Sequence, residues 1–467
     1  MAAAGSERPD DPPPSSAPRR SGAARRSGAG ASGAARRSGA ARRSGAGTSG
    51  AARGPAGGAE PGAAANALRV FVVFVASGFL FSSWVSRIPA VRDALHVDPQ
   101  RLGLVLLAIS VGSVLALPTA GAIVGRLGAR RTLLVAPVVS AVGLGVAGLS
   151  SAGPIPFLVV GLAVMGLGYG VWDVAMNVVG AVVERALGRA LMPRLHAGYS
   201  VGTVLGALLG AGLDAVRVAP RAHLVGVAVL VAVGTPLLAS TLPADVPDAA
   251  APAVRGRTRE AWRERRTLLI GLFMLCLAFA EGTGNDWLSV ATVDGYHRGT
   301  AVGSAVFGVF VASMTVGRLS GTVLLDRYGR VRVLRATCLV AIAGVVLVVV
   351  GHSFVFVLAG AVCWGLGASL GFPVGISAAA DDPAREAARV GVVASIAYTA
   401  FLAGPPLVGL LGQDLGVKHG VAVVAVVLLA GFALAANTRP LALDPGPLAV
   451  PRRADGDPAA EPATLPA

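Results

Sequence analysis

The sequence predicts an all-α integral membrane protein of twelve transmembrane helices, arranged as two parallel six-helix pseudo-repeats. Three observations lead there. Of 467 residues, 54% are hydrophobic and only 14% charged, whereas ordinary soluble domains carry roughly 25% charged residues. Residues 1–66 hold 14 of the 65 charges and residues 437–467 hold 7. What lies between is therefore short charged runs separated by apolar stretches near the ~20 residues that cross a bilayer as helix. Small motifs also recur at a spacing of about two hundred residues.

Apolar stretches place the spans near 68–88, 102–124, 132–149, 155–183, 196–213 and 223–241. A second set follows near 267–292, 302–325, 333–352, 354–379, 390–412 and 417–436. Helix is required because lipid leaves no partner for open backbone groups, and the runs are too long for barrel strands. Interior prolines such as Pro118, Pro373 and Pro405 are tolerated in that setting. With the N-terminus inside, the internal connections and their flanks carry 18 arginines and the external ones about seven Lys or Arg. That bias puts both termini in the cytoplasm.

The chain then divides into a disordered Arg/Ala/Gly/Ser-rich cytoplasmic tail (1–66), a six-helix bundle (67–241), a charged cytoplasmic linker (242–266), a second bundle (267–436) and a second disordered tail (437–467). The net charge of +15 raises the question of nucleic acid. The arginine-rich tail has no aromatic residue to stack on bases, so no specific nucleic-acid partner is expected. A solvated tail, or one lying on anionic lipid, fits better. Cys276, Cys338 and Cys363 each sit in an apolar run without metal-ligand spacing and read as buried thiols. No metal and no cofactor is expected.

The internal echoes are specific. Gly125-Arg126-Leu127-Gly128 matches Asp326-Arg327-Tyr328-Gly329, and Gly166-Leu167-Gly168 in span four matches Gly365-Leu366-Gly367 in span ten. Ala76-Ser77-Gly78 with Trp84 echoes Ala280-Glu281-Gly282 with Trp287. Parallel repeats of this kind place a substrate site near the midplane between the halves.

On these residues the chain resembles a twelve-span major facilitator superfamily transporter over about 68–436. The superfamily's loop signature is recognisable in Gly121, Arg126, Gly128, Arg130 and Arg131, with Gly125 in its acidic position. The second copy keeps acid at Asp326, with Arg327, Gly329 and Arg330. The resemblance implies that these loops latch the cytoplasmic face. A narrower likeness, to the fucose-permease-like branch of sugar and unknown-substrate carriers, rests on Asp173 with Asn177, on Glu281 six residues before Trp287, and on Phe372-Pro373. That branch's sugar carriers have an acid in span one, where this chain is neutral from Phe71 to Ser86.

The charges within spans are the functional candidates, because a charge at the bilayer centre costs roughly 2.5–3.5 kcal/mol on insertion scales. Asp173 and Glu281 are the proton-coupling candidates. Asn177, Asn285, Trp287, Trp84 and Arg87 are the candidates for substrate binding. Asp286 reads as wetted at the cavity mouth, and Arg318 as a carboxylate's partner. The glycine ladder Gly198, Gly202, Gly206 and Gly210 is a helix-packing face.

The expected function is secondary active transport of a small polar solute, coupled to protons as a symporter, by a plasma-membrane monomer that is not an enzyme. A drug or metabolite–proton antiporter is the alternative. The glycine ladder partly resembles the antiporter motif, but Ala207 stands where that motif has proline. A transporter-like sensor and a polytopic membrane enzyme are the remaining classes; the sequence offers no metal cluster, catalytic triad or phosphate loop for the latter.

Reporter fusions test the topology: sites near Gly153 and Gly351 report outside, and sites near Arg259 report inside. Opposite signals overturn it. Deleting residues 2–60 leaves initial transport rates within about twofold, since that composition builds no core.

Overall fold

The computed structural model describes residues 62–187, 191–242, 259–382 and 385–441. Both terminal tails, apart from a few residues at 62–66 and 437–441, and most of the linker lie outside those residues. The first group of helices is α1 (Ala63–Val85), α2 (Ile88–Leu95), α3 (Pro99–Leu127), α4 (Ala129–Leu149), α5 (Ile155–Leu187), α6 (Met192–Ala215) and α7 (Pro220–Ser240). The second is α8 (Arg265–Tyr296), α9 (Thr300–Tyr328), α10 (Arg330–Val350), α11 (Phe354–Ala368), α12 (Gly371–Ala379), α13 (Glu386–Leu415), α14 (Val417–Gly420) and α15 (Val423–Leu434). No strand occurs among the described residues.

Eleven of these elements, counting broken helices as one, are long and apolar enough to span a membrane. The expected twelfth is α6. At 24 residues it is long enough, about 36 Å at 1.5 Å per residue, but its glycines dilute its apolar content. Those glycines are used in packing. A Cβ on Gly202 would stand 2.0 Å from the Val75 carbonyl of α1, and one on Gly206 2.7 Å from the Phe79 carbonyl. The ladder lets the two backbones touch.

The repeat is physical. A Cβ on Gly143 would lie 2.2 Å from the Met165 nitrogen and 2.6 Å from the Gly161 carbonyl. On Gly344 it would lie 2.3 Å from the Trp364 nitrogen and 2.7 Å from the Gly360 carbonyl. Gly168 abuts the Ser140 nitrogen as Gly367 abuts that of Ala341, and Gly166 abuts the Ile109 carbonyl as Gly365 abuts that of Phe310. Each contact in α3–α5 thus has its counterpart in α9–α11 about two hundred residues on. The loop signatures share a backbone shape as well. Gly128 has φ 85° and ψ 151°, Gly329 has φ 78° and ψ 155°, a region open essentially to glycine alone.

Two hydrogen bonds join the groups at one end of the molecule. Arg92 Nη1 donates to Asp294 Oδ2 at 2.6 Å, and Ser304 Oγ donates to the Ser86 carbonyl. Beside them Gly103 abuts the Pro405 carbonyl and Gly409 that of Pro99. The other end holds the signature loops, and there Gly121, Gly125 and Gly391 have open space around them. At that end Glu264 accepts from Arg389 Nε at 2.6 Å, Arg385 Nη1 at 2.7 Å and Thr267 Oγ1 at 2.8 Å. Burial alone would raise this carboxyl, but hydrogen bonds from Arg389, Thr267 and Arg385 hold it down at about 2. A carboxylate so depressed supports the fold above its ordinary range and loses that support as pH falls toward about 2. The tie persists throughout the physiological range.

Gly143→Ala and Gly344→Ala should each lower the thermal stability of the purified protein, by the ~1–3 kcal/mol typical of overpacking. Gly145→Ala, whose Cβ meets only the Ala228 methyl at 3.5 Å, leaves melting in detergent unchanged.

Candidate functional site: a half-buried polar cluster between the helix groups

Asp173 sits in the middle of α5, half-buried. Asn177, one turn on, donates its amide to the Asp173 carbonyl at 2.8 Å and lies 3.4 Å from Oδ1. No cation lies within ion-pair distance of this carboxylate among the described residues. Around it are phenols. Tyr169 Oη donates to Tyr199 Oη at 3.1 Å, and Tyr169, Tyr199 and Tyr398 are all within electrostatic reach of Asp173. Further aromatic rings pack on two of these phenols. Phe81 lies 5.8 Å from Tyr169, and Phe372 and Phe401 each lie 6.1 Å from Tyr398, centroid to centroid.

Glu281 is differently placed. Arg318 Nη2 of α9 donates to its Oε1 at 2.9 Å, and both side chains remain partly accessible. Arg318 Nε also lies 3.4 Å from the Ser369 carbonyl. That carbonyl is free because the residue four places on is Pro373, which has no N–H to offer. The result is a break between α11 and α12. Trp364 Nε1 donates to the Ala280 carbonyl at 3.1 Å, fixing the backbone beside Glu281. Tyr199 is within electrostatic reach of Asp173, Glu281 and Arg318 together, so one cluster draws on α5, α6, α8 and α9.

Not every candidate joins it. Arg87 is fully buried. It pairs with Asp214, donates Nε to His223 Nδ1 at 3.0 Å and Nη2 to the Val218 carbonyl at 2.6 Å. That is an anchor bracing the turn between α1 and α2, and it leaves no face for an outer vestibule. Trp84 and Trp287 are also fully buried, with indole nitrogens lacking a partner. Trp84 lines a small outer cavity with Ile88, Leu102 and Leu158. Asn285 and Asp286 are half-buried in α8.

The signature loops separate into two kinds. Arg126, Arg131, Asp326 and Arg327 are exposed. Arg130 reaches the Ser240 carbonyl at 2.5 Å. Arg330 is fixed by Asp381 at 3.0 Å and by the Thr438 carbonyl at 3.1 Å, while Arg266 holds the same carboxylate at 2.7 Å. Gly128 and Gly329 are the caps described above.

Sequence reasoning missed the tyrosines, although scarcity marks them: the chain has only five, and three of them meet here. It also missed Asp214 and His223 as partners of Arg87, which lie 127 and 136 residues away.

A polytopic bundle with two repeated helix groups and a half-buried polar cluster between them is the build of a solute carrier. The pattern that describes the Major Facilitator Superfamily matches residues 70–397, and again 299–462. The chain belongs to that superfamily and is a transporter of the secondary kind. An uncharacterised transporter of Sinorhizobium fredii is 32% identical over 345 residues, covering 73% of this chain and 89% of the relative. An uncharacterised transporter of the same superfamily from Yersinia pestis is 29% identical, covering 79% and 94%. Membrane protein MosC of Rhizobium meliloti is 24% identical, covering 79% and 89%. Among solved structures, the nucleoside transporter NupG aligns with TM-score 0.66 at 16% identity over 80% of this chain and 98% of its own. The E. coli fucose:proton symporter FucP aligns at 0.57 and 17%, over 81% and 99%. Both share the fold.

Arg87→Met should cost roughly 3–5 kcal/mol of stability by leaving Asp214 buried and uncompensated. The double variant Arg87→Met/Asp214→Leu recovers much of the loss. A stable single variant with weakened substrate binding would instead place Arg87 in the transport path.

Proposed function

We propose that this protein moves a small polar solute across the plasma membrane by alternating access, coupled to protons, as a monomer with both termini in the cytoplasm. The bundles 67–241 and 267–436 rock against each other about the cluster, joined by the linker 242–266. In this reading the contact of Arg92 with Asp294 belongs to the gate at one end, and the signature loops to the gate at the other. Asp173 is the principal proton carrier. The observation that supports this is its lack of a cation partner among the described residues, at a depth where an ionised carboxylate needs one. Glu281 has Arg318 beside it, so its proton exchange depends on that pair opening. Asn177 and Asn285 offer amides to the solute, and Trp84 and Trp287 stand behind the accessible shell.

Asp173→Asn keeps size and removes ionisation. In proteoliposomes it should abolish proton-driven accumulation. Glu281→Gln should weaken accumulation and free Arg318. If both variants insert normally and concentrate solute as the parent does, the proton assignment is wrong and facilitated uniport becomes the reading.

A further inference from the structure

We infer that Asp173 and the aromatic rings around it form a binding site for an organic ammonium, and that the transported solute carries a protonated amine. The inference rests on the proposed transport function and deepens it by naming the solute's chemical class.

Two carboxylates of the cluster differ in one respect that decides the matter. Glu281 already has a fixed counter-charge, Arg318 Nη2 at 2.9 Å. Asp173 has none among the described residues; the hydrogen bond to its carboxylate there comes from the Asn177 amide at 3.4 Å. A carboxylate at mid-span is stable either protonated or beside a cation. A mobile cation is therefore what its unmatched charge calls for. The neighbouring rings indicate which kind. Tyr169 with Phe81, and Tyr398 with Phe372 and Phe401, bring aromatic rings of both helix groups to the cluster. Aromatic faces attract ammonium groups once both are withdrawn from water. A small metal ion would require several oxygen ligands in a close shell. The described residues show no group of three or more His, Cys, Asp or Glu side chains that could hold one.

The ionisable groups facing Asp173 are few. Tyr169 lies on its own helix, Tyr199 on α6 and Tyr398 on α13; Glu281 and Arg318 are within reach of Tyr199, and His196 within reach of Arg318. The membrane-depth stretches of α1, α3 and α4 carry no charged residue. An ammonium arriving at protonated Asp173 displaces one proton, which leaves to solvent, and the carboxylate and ammonium then form the ion pair. Proton and solute compete for the same oxygens, so the coupling is exchange.

Binding to the purified full-length protein tests this without a flux assay. Ethanolamine, glucosamine and benzylamine are compared with ethylene glycol, glucose and benzyl alcohol, reading tryptophan fluorescence and melting temperature. At least one amine should bind about tenfold or more tightly than its hydroxyl partner. Its affinity should weaken by up to about tenfold per pH unit in acid, as protons occupy the site. Asp173→Asn should erase the amine preference with melting of the free protein retained, and Gly145→Ala, whose added methyl meets only Ala228, should keep it. Equal binding of both partners, no binding by any amine, a preference that survives Asp173→Asn, or a response to sodium chloride in place of the amines overturns the inference. None of those results bears on proton-driven accumulation, which the flux experiment decides separately.

Discussion

Everything in this molecule depends on helices brought to backbone contact without help from water. Lipid is as apolar as a leucine side chain, so burying apolar surface does not itself hold helices together in a membrane. Close approach does, and glycine allows it. Gly143 against Met165 and Gly344 against Trp364 fix neighbouring helices at the same depth in each helix group. The consequence reaches the site. The Trp364 nitrogen that packs on Gly344 belongs to the residue whose indole donates to the Ala280 carbonyl. A packing contact on one side of α11 thereby sets the position of Glu281 on the other.

The interior charges follow from the same environment. A cation or carboxylate at depth persists where its counter-charge and hydrogen bonds are supplied, and is costly otherwise. Arg87 has Asp214, His223 and a backbone carbonyl, and it is inaccessible. Glu281 and Arg318 satisfy each other yet stay partly accessible. Asp173 is accessible and lacks a fixed cation. Full burial with full pairing reads as structure. Accessibility with an unfilled demand for positive charge reads as function. Arg87 and Asp173 are both charged residues at apolar spans, and this difference in surroundings is why Arg87 is read as an anchor and Asp173 is proposed as the functional acid.

How much was legible follows from range. Spans, the glycine ladder and the paired loop signatures are local patterns, and they were visible because hydropathy and glycine spacing report local constraint. Arg318 was readable as a carboxylate's partner, since it is an isolated charge one helix away from Glu281. The partners of Arg87 were not, because no short-range pattern links positions more than a hundred residues apart. The echo of Gly78 and Gly282 holds in the packing as well: Gly78 of α1 faces the Tyr199 and Thr203 backbone of α6, and Gly282 of α8 faces the Phe401 ring of α13, the helix of Tyr398. Of the twelve expected spans, eleven meet the apolar criterion among the described residues, and α6 trades apolar side chains for contact with α1.

The repeats agree in their packing and part company in their charges. Adding the 199-residue offset that relates Gly166 to Gly365 takes Asp173 to Phe372 and Asn177 to Ile376. The same offset takes Tyr199 to Tyr398, so the phenol is kept on both sides while the acid is kept on one. The shorter echo in spans one and seven pairs neutral Ser77 with Glu281. The scaffold is therefore near-symmetric, but each helix group contributes an acid that its counterpart lacks. A two-fold cavity with identical walls would offer a solute two equivalent orientations. Here the first group carries Asp173 without an ion pair among the described residues, and the second carries Glu281 bound to Arg318 with Asp286 beyond it, so a solute bound between them would meet two orientations unequal in energy. On the proposed alternating-access mechanism, symmetry in the glycines would let the halves move alike, and asymmetry in the acids would give a bound solute a direction.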